Sequence, residues 1–336
     1  MTRSFLSYSL LGVLALATLA QLIRDRNVGL MLLMFVPLAP IALVALVWDV
    51  VLRGRSLRVR WLLSTVAVSC GLLACSLLWR PALSAELAPG QARLRVVQWN
   101  TMWGGRNQRA FTRILDRLDE QQLDIACLSE APDSLSLEQV WTTRHPSWHV
   151  AAASNGTEGW YWYSFAVVSR YPVALRDEWK LARGRLALFE VDHPVRTLRI
   201  LMVDLLSSPV SPRTPSIRQA AKLIEDRAKA GQAIDLVLGD FNTPARLLGF
   251  DALQAAAVGY RRASLWSGEW AGTWPSFVPF APLDIDHVWV STRLSIRNAT
   301  FFSSFDSDHR GQRVDLSFRS ARQSKLAAQP AWQRSD

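Results

Sequence analysis

The chain has 336 residues, half of them hydrophobic, and a formal net charge of +10. This length exceeds one small domain and leaves room for a membrane part beside a globular domain. The first 92 residues hold eight basic and three acidic residues, so half of the basic excess lies there, and the mild remainder does not by itself indicate a nucleic-acid-binding surface. The three cysteines, Cys70, Cys75 and Cys127, have no metal-site or disulfide-framework spacing.

Three long apolar stretches precede residue 80, namely Phe5–Ile23, Val28–Val51 and Trp61–Trp79. Each is long enough to cross about 30 Å of hydrocarbon as a helix. Pro37 and Pro40 interrupt the second stretch, but membrane helices tolerate proline. A signal peptide is the alternative for the first stretch; its long apolar core and the two stretches that follow favour a span. Residues 1–80 are therefore predicted to form a three-helix transmembrane anchor.

The basic residues predict the orientation of this anchor. The loop between the second and third stretches carries four arginines, whereas Asp25 offsets Arg24 and Arg26 in the preceding loop; the four are Arg53, Arg55, Arg58 and Arg60. Because cytoplasmic loops are rich in Lys and Arg, the four-arginine loop is expected inside. The N-terminus then also lies inside, and everything after Trp79 lies outside. We predict a multi-pass protein of the cell inner (cytoplasmic) membrane with an extracytoplasmic domain.

The outer part begins with a Pro- and Gly-containing linker at 81–92, and a disordered tail is predicted at 321–336. Between them, apolar patterning predicts helices at 106–122 and 214–231, the second with Thr214 or Ser216 as its cap and Gly231 as its stop. Strands are predicted at 93–100, 124–130, 160–170, 185–191, 197–206, 235–240, 284–290, 299–305 and 313–318. The fold class is therefore α+β, with two packed sheets flanked by helices over residues 93–320.

Many of these strands end in a polar residue that could bear chemistry: Asn100, Glu130, Asp204, Asp240, Asn242, Asp286, His287, Asp308 and His309. If the ends meet, they form an acidic pocket that contains a histidine. Crowded carboxylates repel one another, and a divalent cation relieves that repulsion. Oxygen donors without cysteine favour Mg²⁺ or Mn²⁺ over Zn²⁺. For any single stretch, such as GDFNTP at 239–244, an ordinary turn is the alternative.

Seven short motifs occur together along residues 93–318: QWN at 98–100, LSE at 128–130, SRYP at 169–172, GDFN at 239–242, TWP at 273–275, IDHV at 285–288 and SDHRG at 307–311. In content and order they resemble the endonuclease/exonuclease/phosphatase superfamily, whose members are metal-dependent phosphoesterases. The resemblance implies a four-layer α/β sandwich. It also implies Glu130 as the principal metal ligand, with Asn100 and Asp308 nearby.

The resemblance further implies the catalytic roles. Asp240 would orient or deprotonate the attacking water, and Asn242, two residues along an extended segment, would hold a phosphate oxygen. His309 would donate to the phosphate, and Asp286 would fix the tautomer of His309.

Two histidine positions depart from a simple transfer of these roles. Many superfamily members have a second histidine at the end of the strand that reads ILMVDLLSSP here. This chain offers Asp204, or Leu205 if the register slips by one, and so lacks that donor. Asp204 would instead add a carboxylate to the metal site. His287 follows Asp286 in a strand, where side chains alternate, so we interpret it as a packed residue.

The anchor suggests which substrate the domain meets. A domain tethered beside a bilayer encounters lipid head groups at high effective concentration, so the sequence favours a membrane-anchored extracytoplasmic Mg²⁺-dependent phosphoesterase that acts on a lipid-linked phosphate or diphosphate. An extracytoplasmic nuclease or phosphodiesterase is the first alternative and predicts a basic groove. An inactive phospho-ligand binding module is the second. The aromatic run at 159–165 and the tryptophans at 266, 270 and 274 would line a cleft, lie at the membrane interface or pack in the core.

Overall fold

The computed structural model describes residues 2–51, 57–79, 92–105, 107–132, 134–153, 164–256 and 259–319. Nearly all of the predicted linker, the predicted tail, most of the aromatic run at 159–165, and Arg53 and Arg55 lie outside these ranges.

The N-terminal part contains four helices: α1 (Thr2–Ile23), α2 (Val28–Met34), α3 (Leu38–Val51) and α4 (Leu57–Leu78). Helices α1 and α4 are each long and apolar enough to cross a membrane. The predicted span Val28–Val51 is not one continuous helix, because α2 and α3 meet at an angle of 69°. Pro37 lies at this break and disfavours helical geometry for the residue before it. The pair gives a third span only if both helices are counted together.

Helices α1, α3 and α4 pack as a bundle through small side chains. Ala17, Ala42, Ala45, Ala67 and Ala74 are all buried in one cluster between them. Small residues let helix backbones approach closely, which is how helices associate where no water drives them together. Helix α2 is different, because it packs against the C-terminal domain. Met34 is buried there, and Leu30 and Leu33 pack beside it.

The C-terminal domain contains two six-stranded sheets. The first has the order β11-β12-β1-β2-β4-β3, with β1 (Arg93–Asn100), β2 (Ile125–Ser129), β3 (His149–Ala153), β4 (Phe165–Ser169), β11 (Leu294–Phe302) and β12 (Gly311–Phe318). The second has the order β5-β6-β7-β8-β10-β9, with β5 (Val173–Leu181), β6 (Gly184–His193), β7 (Arg196–Leu205), β8 (Leu236–Asp240), β9 (Tyr260–Arg262) and β10 (Asp286–Ser291).

Helices cover the outer face of each sheet and complete four layers. Helices α5 (Gln108–Asp119) and α6 (Ser134–Arg144) share a core with the first sheet. Helices α7 (Thr214–Lys229) and α8 (Gly249–Ala255) share a core with the second sheet. A third core joins the facing sides of the two sheets. The predicted α+β sandwich is confirmed, although the sequence patterns did not reveal β3, β5, β9, α6 or α8.

The start of α7 differs from the prediction. Arg213 is its N-cap residue and makes no side-chain capping bond, so neither Thr214 nor Ser216 caps the helix. The Thr214 hydroxyl instead donates to Asp25 of the anchor and accepts from the Gly249 amide at 3.0 Å. Gly231 follows the helix with a φ of 75°, as a stop signal requires.

Two parallel strand pairs bring the polar strand ends to one edge. Asn100 of β1 lies opposite Ser129 of β2, directly before Glu130. Asp204 of β7 lies opposite Asp240 of β8, and Asp286 at the start of antiparallel β10 lies on the other side of Asp240. Because parallel strands end at the same edge of a sheet, these residues meet at one end of the sandwich.

Replacing Gly239, which precedes Asp240, is expected to cost about 3 kcal/mol or more of the free energy of unfolding. Its φ is 139°, and an added Cβ would lie 2.0 Å from the Val203 carbonyl oxygen of the neighbouring strand. Gly231→Ala is the matched control, since Gly231 also has a positive φ but open space around it, and the expected cost is about 1 kcal/mol. Denaturant unfolding of Gly239→Ala and Gly231→Ala measures both; equal costs would contradict this packing.

The loop between α1 and α2 is bonded to the C-terminal domain. The Arg24 guanidinium donates to the carbonyls of Arg246 and Leu247 and pairs with Asp251 at 2.7 Å. The Asp25 carboxylate accepts from the Leu248 amide at 2.7 Å. Specific hydrogen bonds and an ion pair therefore join the N-terminal helices to the C-terminal domain.

Arg24→Ala is expected to loosen this interface. Hydrogen bonds to a charged group contribute about 1.5–3 kcal/mol, so amide hydrogen exchange in residues 246–256 should accelerate by about ten-fold or more. Arg26→Ala is the control, because Arg26 is exposed in the same loop. Unchanged protection in Arg24→Ala would show that these contacts do not hold the domain.

Candidate active site

The predicted site residues surround one cleft of about 570 Å³ at the strand-end edge. Glu130, Asp240, Asn242, Asp308 and His309 line it directly. Behind them, Asn100, Asp204 and Asp286 are buried and contact or face the lining residues. The eight side chains therefore lie close together in the fold, as the sequence predicted.

Asp240 is held by two amides. Its Oδ2 accepts from Asn100 Nδ2 at 3.0 Å, and its Oδ1 accepts from the backbone N–H of Asn242 at 2.7 Å. Burial, together with the charge of Asp286, raises the pKa of the Asp240 carboxyl. These bonds fix the carboxylate in one orientation.

Asn242 reaches the cleft in a way that the sequence did not predict. The segment after Asp240 is not extended, because Asn242 has a φ of 48° and its N–H turns back to the Asp240 side chain. Asn242 Nδ2 donates to the Leu205 carbonyl at 2.7 Å. The two side chains thus share the cleft through a tight turn, which combines the turn and site interpretations of GDFN.

His309 and Asp286 form a buried pair. His309 Nδ1 donates to Asp286 Oδ2 at 2.8 Å, which leaves Nε2 facing Asp240 Oδ2 at 3.8 Å and Asp308 Oδ1 at 3.9 Å. Burial lowers the pKa of His309, but the charges of Asp286 and Asp240 outweigh it and raise that pKa overall. A proton donor therefore faces the cleft.

Glu130 follows β2 with a φ of 44°. Its backbone carbonyl accepts from Thr101 Oγ1 at 3.0 Å and from the Trp103 amide at 2.6 Å, which holds this left-handed turn. Burial raises the pKa of Glu130 to about 7, against the opposing effects of a hydrogen bond from Asn100 and the charge of His309. An unfavourable backbone at a half-buried acid whose pKa is raised is a pattern typical of functional sites.

Asp204 is a further buried acid beside this cluster. It is buried next to Asp240, and its Oδ2 has no hydrogen-bond partner among the described residues. Burial and the charges of Asp240 and Glu130 raise its pKa well above the ordinary value. Leu205 lies instead in the core beneath α7 and α8, so neither candidate position supplies the second histidine's donor.

The donor set fits a divalent cation. Glu130, Asp204, Asp240, Asp286 and Asp308 place five carboxylates around one cleft. Burial and neighbouring negative charge raise the pKa of three of them, Glu130, Asp204 and Asp240. A cation bound by oxygen atoms relieves both effects. Ligand atoms of Asp240, Asp286 and His309 lie within 4.8 Å of one another, although His309 and Asp286 already bond to each other. Glu130, Asn100 and Asp308 form the alternative set.

His287 does not belong to the site. It is 2 % exposed, its ring packs against Phe241 and Phe250, and Nε2 lies 2.9 Å from the Thr243 carbonyl. It is therefore a packed residue, as its alternation with Asp286 indicated.

Phe35, from the N-terminal helices, is among the lining residues that the sequence did not reveal. It lies at the break between α2 and α3, and it lines the cleft together with Trp103, Trp274 and Leu283. The guanidinium of the buried Arg213 lies 5.2 Å from the Phe35 ring centre and is itself held by the carbonyls of Leu206 and Ser211. The prolines in this stretch indicated a break in the helix, but only the folded structure shows that the break brings Phe35 to the cleft.

The chain belongs to the Endonuclease/Exonuclease/phosphatase family, whose sequence profile matches residues 97–309. No curated protein matches it in sequence.

Solved structures share the fold at low identity. A family member from Bacteroides thetaiotaomicron has a TM-score of 0.52 and 15 % identity, with 68 % of this chain and 99 % of that chain covered. The catalytic domain of human Nocturnin, with bound sulfate, has a TM-score of 0.53 and 18 % identity over 70 % and 97 %. A mannosyl-6-phosphatase from B. thetaiotaomicron has a TM-score of 0.50 and 16 % identity over 67 % and 100 %. At these identities the likeness concerns the fold alone.

Proposed function

We propose that the protein is a membrane-anchored, divalent-metal-dependent phosphoesterase that hydrolyses a lipid-linked phosphate or diphosphate on the extracytoplasmic side of the inner membrane. One observation carries the lipid assignment: Phe35, at the break in an apolar membrane segment, lines the same cleft as Glu130, Asp240 and His309. A substrate with an apolar chain and a phosphate head has a matching surface for each part.

The cleft is lined by two chemical kinds of side chain. Acids and His309 are joined there by the apolar or aromatic side chains of Phe35, Trp103, Trp274, Leu283 and Ile285. Among the described residues that line the cleft there is no lysine or arginine. A nuclease requires cations along the phosphate backbone, so this lining favours a single phosphate head group over a polynucleotide.

The metal assignment follows the oxygen donors. Glu130, Asn100 and Asp308 would hold Mg²⁺ or Mn²⁺, which stabilises charge on phosphate oxygens. Asn100 Oδ1 accepts from the Met102 amide at 3.0 Å and keeps a second lone pair. Trp274 Nε1 donates to Asp308 Oδ2 at 3.1 Å, which orients the other carboxylate oxygen.

The remaining residues divide the acid–base work. Asp240, fixed by Asn100 and Asn242, positions a water and takes its proton. Asp286 accepts from His309 Nδ1–H and stabilises the charged form of the ring, in which Nε2 also carries a proton. That Nε2–H would donate to a phosphate oxygen as negative charge builds there. Asn242 donates to Leu205, and its second amide proton is free to contact phosphate.

The contacts of the N-terminal helices support the proposed side of the membrane. The loop that holds Arg24 and Asp25 is bonded to the domain, so both would occupy one face of the membrane when α1 crosses it. If α2 and α3 together form one bent span, the basic loop before α4 would occupy the opposite face. Its excess of arginine favours the cytoplasm, and this supports an extracytoplasmic domain.

Phe35→Ala tests the lipid assignment on the full chain in lipid nanodiscs. The substrates are a long-chain polyprenyl diphosphate and a short, water-soluble diphosphate with the same head. A Phe side chain that the apolar chain of the substrate buries is worth about 1.5–3 kcal/mol, so its loss is expected to reduce kcat/KM for the long-chain substrate by about ten-fold or more. The short substrate, which reaches Phe35 less, should lose less. Equal losses on both substrates would contradict the lipid assignment.

A further inference from the structure

Large apolar side chains remain exposed beside the mouth of the cleft. Phe277 is 67 %, Phe280 69 % and Phe305 98 % exposed, and Val278 lies between the first two at 38 %. These four residues are called the aromatic rim. Single exposed apolar residues are ordinary, but several around one opening indicate a surface that an apolar partner covers.

The rim adjoins the catalytic cleft. Phe277 and Phe305 line a depression of about 300 Å³ that also includes Met102 and Asp308, and both of those residues line the cleft. Trp274, three residues before Phe277, lines the cleft as well. Whatever covers the rim therefore lies directly at the substrate entrance.

The chain segment that carries the rim is bonded to the end of a membrane-crossing helix. The Ala271 amide donates to the carbonyl of Leu78, the last residue of α4, at 2.7 Å, and Trp79 forms a bridge with Trp270. The Phe280 ring packs edge-on against the Trp270 ring, with 5.6 Å between their centres. Phe280 is thus two contacts away from the point where α4 ends.

The same segment is held in one shape. Arg310 donates to the carbonyls of Trp270 and Gly272, each at 2.9 Å, and Gly272 packs so closely that an added Cβ would lie 1.7 Å from the Ala281 carbonyl oxygen. Phe280 has a φ of 61°, in the left-handed region that is unfavourable for a residue with a Cβ. This rigid, unfavourable backbone displays a ring that the chain itself leaves mostly uncovered.

We propose that the aromatic rim inserts into the interfacial layer of the bilayer that α1 and α4 cross, so that the cleft opens toward lipid head groups. Continuity with the end of α4 identifies the occupant, because that end marks the level of the bilayer surface. Aromatic side chains are favoured at this level, and Trp79, 54 % exposed, lies there too. This contact rests on the membrane anchor and does not depend on the reaction proposed above.

Fluorescence quenching by lipid measures the contact without any use of turnover. The full chain, with the exposed Cys75 replaced in Cys75→Ser, carries Phe280→Cys labelled with bimane and is placed in phosphatidylethanolamine–phosphatidylglycerol vesicles with or without acyl-chain bromines. Val195→Cys is the matched control. Val195 is also exposed, at 54 %, but it lies in the turn before β7, about 30 Å of strand from the cleft edge.

Bromolipid is expected to quench the label at position 280 strongly and the label at position 195 hardly at all, with a depth of about 5–10 Å for the first. Phe277→Cys provides a second position in case Phe280→Cys does not fold, and the same quenching is expected there. Quenching at 277 and 280 no greater than at 195 would overturn the proposal. Label fluorescence that changes with the amount of protein per vesicle, but not with lipid bromination, would show that a second copy of the chain covers the rim. That result would also overturn the proposal.

Discussion

Glu130→Gln is expected to lower metal-dependent turnover by at least about 100-fold and to weaken Mg²⁺ binding. Glutamine keeps the shape of the side chain but removes the charge that a cation needs at a buried position. Glu130 occupies the turn after β2, where Asn100 and His309 stabilise its charged form. Calorimetric titration of the full chain with Mg²⁺, beside a turnover assay, measures both effects.

Glu138→Gln is the matched control for this change. Glu138 is exposed on α6, and its substitution makes the same chemical change away from the cleft. It should leave both measurements unchanged. Full Mg²⁺ affinity in Glu130→Gln would contradict the assignment of Glu130 as a ligand and would leave Asp240, Asp286 and His309 as the remaining set.

His309→Ala is expected to reduce turnover by about 100- to 1,000-fold while Mg²⁺ affinity stays within about three-fold of the original value. The two effects are expected to separate because His309 Nδ1 is hydrogen-bonded to Asp286. In the proposed mechanism Nε2 is a donor to the substrate and not a metal ligand. Turnover and calorimetric titration on the same sample separate the two roles.

His149→Ala is the control for this second change, since His149 is exposed on β3. Two results would contradict the account in different ways. Normal turnover in His309→Ala would remove the histidine from the reaction. Loss of metal affinity together with turnover would show that His309 itself binds the cation, in the cluster that it forms with Asp240 and Asp286.

Much of the site was predictable because buried strands must end in polar residues and parallel strands end at one edge. From the sequence, Asn100, Asp204, Asp240 and Asp286 form one pocket if the strand ends meet, and the strand pairings bring these ends to one edge. The motif order identified the family on the same residues. The site prediction depended on several strand ends considered together, because an ordinary turn explains each one alone.

Local patterns failed where a distant contact decides the outcome. Hydropathy predicted a continuous span over Val28–Val51, yet the structure divides it into two helices that meet at 69°, and Met34 is buried against the domain. Thr214 has the chemistry of a cap but bonds to Asp25, 189 residues away in sequence. Asn242 adopts a left-handed turn because Leu205 and Asp240 accept from it. No periodicity encodes such partners.

The anchor therefore contributes to the cleft and does more than tether the domain. Phe35 lines the cleft, Arg24 and Asp25 bond to the domain, and Leu78 bonds to the segment that carries the aromatic rim. A fragment without the N-terminal helices lacks Phe35, which lines the cleft in the full chain. Activity measurements on this protein consequently require the full chain.

The measurement that tests the central claim most directly is phosphate release by the full chain in nanodiscs that contain a polyprenyl diphosphate, with Mg²⁺ or with EDTA. A phospholipid and double-stranded DNA, each scored with an added phosphatase, complete the panel, and Asp240→Asn is the inactive reference. The account predicts release from the lipid diphosphate that disappears with EDTA and in Asp240→Asn. Activity on DNA alone would indicate a nuclease, and binding of Mg²⁺ without any turnover would indicate a phospho-ligand binding module; either result would contradict the account.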